Sequence, residues 1–313
     1  MASPQERFDV SSADLARSAR LLVVRSRREA TGLFAGNYVS AFRGGGLEFD
    51  ESRPYVPGDD VRTIDWNATA RYGDTFVKQF REERDQTLLF ALDASASMRF
   101  ASIGSSKAAT AAHALALLAA AASRAGDRMG LAVFDDRVRA LVPVARGVAH
   151  GWRLVRTAVY CAAHSDGGTH LGAGLRALRA GTRRRGVLVI LSDFRDERLF
   201  GSASEQTLAD LGRRHDLVAA IPLDPRELSL PRVGVVRIAD PESPDRVFVL
   251  DTRSRRARRR YLAACEARRH RIALRLRRVG AELVWLRTDR NPLYPLGRFF
   301  NERAGRRHRM AAR

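Results

Sequence analysis

From Thr87 onward the sequence alternates between compact apolar runs and helix-like stretches, and this alternation limits the fold more than any other feature. The runs Leu88–Leu92, Gly130–Phe134, Val138–Val142, Val187–Leu191, Leu217–Ile221 and Leu283–Leu286 read as strands. Segments near Ser106–Ala125, Ala149–Ala162, Leu171–Arg184, Ser204–Arg214 and Arg255–Arg278 read as helices between them. Strands that alternate with helices predict a mostly parallel sheet covered on both faces. The valine- and leucine-rich runs lack polar alternation, as strands buried on both sides do. Val138–Val142 follows Gly130–Phe134 closely enough for a hairpin, which adds one antiparallel edge. The stretch Ala108–Ala122 is alanine-rich, is interrupted by Thr110 and His113, and is shorter than the roughly 18 residues of a spanning helix. It reads as a core helix, with His113 a core or interface histidine.

Residues 1–86 have a different texture. Ser11-Ser12-Ala13-Asp14 resembles a capping-box start. Leu15, Leu21, Leu22 and Val23 then mark an arginine-rich amphipathic helix to about Ala30. After Gly32 come Phe34, Gly36, Tyr38, Phe42, Gly44-Gly45-Gly46, Phe49, Pro54 and Pro57-Gly58, a composition that predicts short strands and turns. Pro57-Gly58-Asp59-Asp60 reads as a tight turn. Asp59, Asp60 and Asp65 lie among Arg53, Arg62 and Arg71, so carboxylate–guanidinium pairs are expected to dock this segment onto the rest of the chain. Trp66 and Tyr55 are expected in the core, with interface anchoring as the alternative.

The chain has 313 residues, 45% hydrophobic and 29% charged, which suits about two average domains or one with additions. Its formal charge is +20, yet Lys78 and Lys107 are the sole lysines. Residues Asp251 to Arg313 hold 20 arginines and 5 acids, a local +15. Residues 291–313 therefore read as a basic C-terminal tail after a domain spanning 87–290. Cys161 and Cys265 exclude a disulfide scaffold and a four-cysteine zinc site. Both fall in helix-like segments and are expected to be reduced, buried thiols of a cytoplasmic protein. Met1-Ala-Ser-Pro-Gln-Glu-Arg has no basic stretch leading into an apolar one, so no signal peptide and no transmembrane segment are expected.

In an open α/β sheet, ligands bind beyond the carboxyl ends of the strands. Three such ends carry oxygen donors. The first strand runs into Asp93-Ala94-Ser95-Ala96-Ser97, where alternate residues in an extended turn can aim one way. The loop Ser165-Asp166-Gly167-Gly168-Thr169 precedes the helix at His170. The strand Val187–Leu191 ends in Ser192-Asp193. Asp93, Ser95, Ser97, Thr169 and Asp193 offer two carboxylates and three hydroxyls, without thiolate or essential imidazole. Such donors suit Mg2+, or Mn2+, rather than zinc. With so few anions the ion keeps waters and can accept an oxygen from a partner.

Asp-x-Ser-x-Ser, a loop threonine and a strand-end aspartate together resemble the metal-ion-dependent adhesion site of von Willebrand factor A domains. The resemblance implies a von Willebrand factor A-like, Rossmann-like sheet, with the smaller N-terminal region built of a helix and strands. The segment Gly45–Arg71, with its Arg53-Pro54-Tyr55-Val56-Pro57-Gly58-Asp59-Asp60 core, is similar to the signature of the bacterial domain-of-unknown-function family 58. Phe76, Lys78, Phe80 and Glu83 continue that likeness towards Asp93, and it reaches Pro295–Arg303. Many members begin with two transmembrane helices; this chain is similar to the shorter, soluble form.

Three functions are weighed. The resemblance implies a non-enzymatic, cation-dependent protein-binding module that works with a MoxR-type AAA+ ATPase or its client. Its bound Mg2+ would grip an acidic residue of the partner. The alternative is nucleic-acid binding through the arginines that follow Arg255, by counterion release. Composition bias accounts for those arginines equally well, and no nucleic-acid motif accompanies them. A metal-dependent hydrolase ranks last, because no nucleophile–histidine arrangement lies beside the metal donors and no phosphate-binding Gly-rich loop is present.

Overall fold

The computed structural model describes residues 12–42, 47–82, 86–165, 167–181, 185–196, 203–240 and 243–311. Of the residues named above, Met1–Arg7, Ser11, Gly44, Gly45, Gly46, Glu83, Asp166, Arg184 and Arg313 lie outside them. The chain opens with two helices, α1 (Ser12–Glu29) and α2 (Leu33–Phe42). A small unit follows: β1 (Leu47–Pro54), α3 (Trp66–Tyr72) and β2 (Phe76–Glu82). The main sheet begins with β3 (Thr87–Asp93), α4 (Lys107–Ala125), β4 (Arg128–Phe134) and β5 (Val138–Arg146). It continues with α5 (Val148–His164), α6 (Leu171–Gly181), β6 (Val187–Leu191), α7 (Ala203–Arg214) and β7 (Asp216–Leu223). A hairpin of β8 (Val235–Asp240) and β9 (Ser243–Asp251) precedes α8 (Arg255–Arg278), β10 (Glu282–Arg287) and α9 (Leu293–Ala311).

Six strands form the central sheet in the order β10-β7-β6-β3-β4-β5. Neighbours pair in parallel except β4 and β5, which pair antiparallel. The mixed α/β architecture with a mostly parallel sheet is therefore as the apolar runs predict, including the antiparallel edge. Alternate residues of β3 serve two cores. Leu88, Phe90 and Leu92 face the layer of α4 and α5, while Leu89 and Ala91 face α6 and α7. Burial on both faces is why no polar alternation marks these strands. Helix α4 alone among the described helices is long and apolar enough to cross a membrane, but it lies largely buried in the core. His113 on α4 meets Glu29 of α1 at 3.0 Å, so it is an interface histidine between two helices.

Several expectations need correction. Residues 33–42 form helix α2, not strands, while the expected strand and turn do follow in β1 and at Gly58. Phe34, Tyr38, Ala41 and Phe42 recur with helical spacing and bury one face, and that period outweighs the strand-like aromatic composition. Residues 291–313 do not trail as a basic tail. Leu296, Phe299 and Phe300 of α9 are buried, and the Phe300 ring lies 5.3 Å from both Phe34 and Phe42. Trp66 is 71% exposed rather than packed. Within the signature, Arg53 grips Asp59 with two 2.7 Å bonds inside the same turn. Asp65 instead caps α3 and accepts from Ser52 at 2.7 Å. Gly58, at φ 111°, supplies the backbone that the turn requires. The hairpin β8–β9 has no counterpart in the expected strands, and both cysteines are half-buried rather than buried.

Candidate metal centre

The order in which strands are added reverses beside β3. The connection after β3 runs to β4 on one side, and the connection after β6 runs to β7 on the other. The crevice at such a switch point collects loops from both strands. Asp93 ends β3 and Asp193 follows β6 by two residues. Both carboxylates are placed at the switch by topology, 100 residues apart in sequence.

Backbone bonds fix the loops around them. The Ala94 N–H donates to Phe134 O at 2.7 Å, and the Ala96 N–H to Gly167 O at 3.0 Å. Asp135, just beyond β4, accepts from the Ser165 hydroxyl, and its carbonyl accepts from the His170 N–H at 2.7 Å. Asp196 accepts from the Leu171 N–H at 3.0 Å, which ties the turn after β6 to the start of α6. Phe194 takes a left-handed backbone, φ 53°, uncommon for a residue with a bulky side chain. Its N–H donates to Ser192 Oγ at 3.0 Å and secures the turn that presents Asp193.

Within this frame the structure joins four of the five expected donors. Asp93 accepts from the Ser95 N–H at 2.9 Å. The Ser95 and Ser97 hydroxyls are 3.2 Å apart, and Ser97 donates to Asp193 Oδ1 at 3.3 Å. Thr169 is buried on the loop that Ala96 reaches through Gly167. Four further residues were missed as site members. Ser192 donates to Asp93 Oδ2 at 2.6 Å. Lys107 Nζ lies 2.9 Å from Asp193 Oδ2 and 3.2 Å from Glu227 Oε1. Arg195 reaches the same Glu227 oxygen at 2.8 Å and Asp193 at 3.5 Å. Glu227 itself is set by a capping box with Asp224. The rarity of lysine was the one sequence signal that pointed to Lys107.

Electrostatics separate the two aspartates. Burial, and then the charge of Asp193, push the Asp93 carboxyl up to about 7. Burial would raise Asp193 too, but the charges of Lys107 and Arg195 hold it below the usual carboxylate range. A small cavity of about 30 Å3 opens onto Asp193 between Arg195, Glu227, Arg269 and Trp285. Among the described residues, no group of three or more His, Cys, Asp or Glu side chains is placed to hold a metal. Any metal here would depend on hydroxyl and water oxygens as well as the two aspartates.

Fold and site together define an α/β protein with a buried carboxylate–hydroxyl cluster at the switch point of its sheet. The family model described as "Protein of unknown function DUF58" matches residues 51–271, and the chain belongs to that family. "Uncharacterized protein Rv1480" of Mycobacterium tuberculosis is 34% identical over 300 residues, covering 95% of this chain and 92% of the relative. "Uncharacterized protein MAV169" of Mycobacterium avium is 35% identical over 145 residues, 46% of this chain and 80% of its own length. Among solved structures, the conserved hypothetical protein BatB from Bacteroides thetaiotaomicron aligns over 70% of this chain and 99% of its own, with TM-score 0.41 and 12% identity. An aerotolerance-related membrane protein from Bacteroides fragilis aligns over 71% and 99%, with TM-score 0.42 and 14% identity. Scores this low transfer no function.

Proposed function

We propose that this chain is a cation-dependent protein-binding module of the von Willebrand factor A type, and not an enzyme. Asp93, Ser95, Ser97, Thr169 and Asp193 would hold Mg2+, or Mn2+, and the ion would take a carboxylate from an acidic residue of a partner protein. The observation that carries this reading is the hydrogen-bonded run Ser95–Ser97–Asp193 beside Asp93 at the switch point. The donor set fits the ion: two carboxylates and three hydroxyls are hard oxygens, and the remaining positions stay open to water or ligand. Bound there, the ion supplies Lewis-acid affinity for a carboxylate. The chain supplies loops already pinned in place, so little ordering is needed on binding.

A MoxR-type AAA+ ATPase, or its client, is the partner that the family resemblance implies, and the cytoplasm is the matching location. The test is calorimetric titration of the purified chain with that ATPase, with Mg2+ and with EDTA. Binding should require Mg2+ and should be lost in Asp93→Ala. Equal affinity for wild type and Asp93→Ala would end this reading.

One observation favours a second reading. Arg256, Arg259, Arg260, Arg271, Arg277 and Arg278 are exposed and share one face of α8 by helical spacing. Such a stripe can bind a phosphate backbone. A gel shift with random duplex DNA at near-physiological salt decides it, and absence of a shift would remove it.

A further inference from the structure

Lys107 is one of two lysines among 55 basic residues, and it is 1% exposed. It is also the first residue of α4. A cation there meets the positive end of the helix dipole, and a buried charge is costly without close partners. Composition does not account for a lysine in so unfavourable a place. Its two partners, Asp193 and Glu227, come from different elements that converge on it. Lysine is a compact point charge, able to hold one carboxylate oxygen and leave the other free. Asp193 is divided in that way: Oδ2 is taken by Lys107, while Oδ1 accepts from Ser97 on the serine side.

We infer that Lys107 makes cation loading depend on an incoming carboxylate, so that metal and acidic partner are captured together. This inference rests on the metal reading above. Asp93 must be ionised to hold a metal. Asp193 and Glu227 pair with Lys107 and Arg195, and Asp93 lies beside Asp193, so these five groups carry three negative charges against two positive, with Arg268 and Arg269 further out on the cavity wall. A dication turns that balance into a net positive charge in a buried, weakly screened site. A partner carboxylate restores neutrality. Without Lys107, the dication alone would already balance the cluster. Lys107 is therefore a positioning residue for charge: it touches neither ion nor partner, and sets how strongly one requires the other.

The experiment is Mn2+ binding to the full chain, followed by electron paramagnetic resonance at fixed pH, with acetate as the carboxylate probe. Wild type should bind Mn2+ about tenfold more tightly in acetate than in chloride, an ordinary size for coupling between sites. Lys107→Met should bind Mn2+ about tenfold more tightly than wild type without acetate, and should lose the acetate dependence. Lys107→Arg, which keeps the charge, should retain it. A folded Lys107→Met with wild-type or weaker affinity overturns the inference, as does a wild type indifferent to acetate. If Lys107→Met does not fold, Glu227→Gln replaces it. That change leaves the site more positive, so Mn2+ affinity should fall and the acetate effect should grow; no change overturns the inference.

Asp93→Asn separates the two proposals. If Asp93→Asn abolishes Mn2+ binding while Lys107→Met changes nothing, the metal reading stands and the lysine inference alone fails. If wild type binds no Mn2+ even in acetate, both fail.

Discussion

At the scale of single residues, Asp93 carries the clearest consequence. Burial, and then the charge of Asp193, push its folded carboxyl up to about 7, from an ordinary value near 3.8. The folded protein therefore keeps a proton that the unfolded chain has already lost. Metal-free stability should be unaffected by this group below about pH 4, should fall as pH rises towards about 7, and should level off above it. Asp93→Asn cannot ionise, so in EDTA it should be the more stable protein at about pH 8, by on the order of a few kcal/mol. Urea unfolding of both proteins in EDTA, at about pH 5 and about pH 8, checks this; parallel pH responses would contradict it. Under the proposed function, Mg2+ would compete with the same proton. It should raise the melting temperature of wild type at about pH 8 much more than at about pH 5.

At the scale of elements, helix α9 is held by its buried aromatic face and by one polar side chain. Arg303 is buried, donates to Ala41 O at 2.9 Å, and pairs with Glu282 and Asp216. Its guanidinium also stacks 4.9 Å from the Phe42 ring. It thereby joins α2, α9 and the sheet edge. Both acidic partners keep some solvent, which tempers the cost of losing it. Arg303→Ala should still destabilise by about 2–3 kcal/mol in urea unfolding. A second contact fixes α6, the helix that follows Thr169. A Cβ on Gly174 would sit 2.4 Å from the Phe134 ring, which is itself fully buried. Gly174→Ala should therefore cost about 1–3 kcal/mol, despite the higher helix propensity of alanine. A neutral or stabilising result would show that α6 can shift outward without loss.

At the scale of the whole molecule, apolar burial is unevenly shared. The helices α1, α2 and α9 complete one core of the central sheet. Among the side chains described in the signature unit of β1, α3 and β2, Val77 alone joins the buried apolar set, and Val56, Val61, Trp66 and Tyr72 are exposed. Trp66→Ala should change global stability by less than about 0.5 kcal/mol, as surface substitutions do. Fluorescence quenching by acrylamide should show Trp66 as readily accessible in wild type. A large loss of stability would mean that this face is covered. The charge is uneven too. Much of the +15 from Asp251 onward lies on α8, while the site around Asp93 is close to balanced internally.

The strands of the central sheet were legible because a strand buried on both sides must be a continuous apolar run, and such runs survive in one dimension. That Asp93, Ser95, Ser97 and Asp193 would gather was legible because their residue types fall at strand ends, where a parallel sheet gathers its loops. Helix α2 was misread because aromatic composition hid a helical period, and α9 because arginines outnumbered the few residues that anchor it. The partners of Asp193 could not be read at all. Lys107, Arg195 and Glu227 are distant in sequence, and nothing local to any of them requires the others. The sequence determined by itself the layered α/β architecture and the placing of carboxylates and hydroxyls at its strand ends, because both follow from local pattern. Only the tertiary structure decided the charge of the site, because charge balance depends on which side chains meet in space.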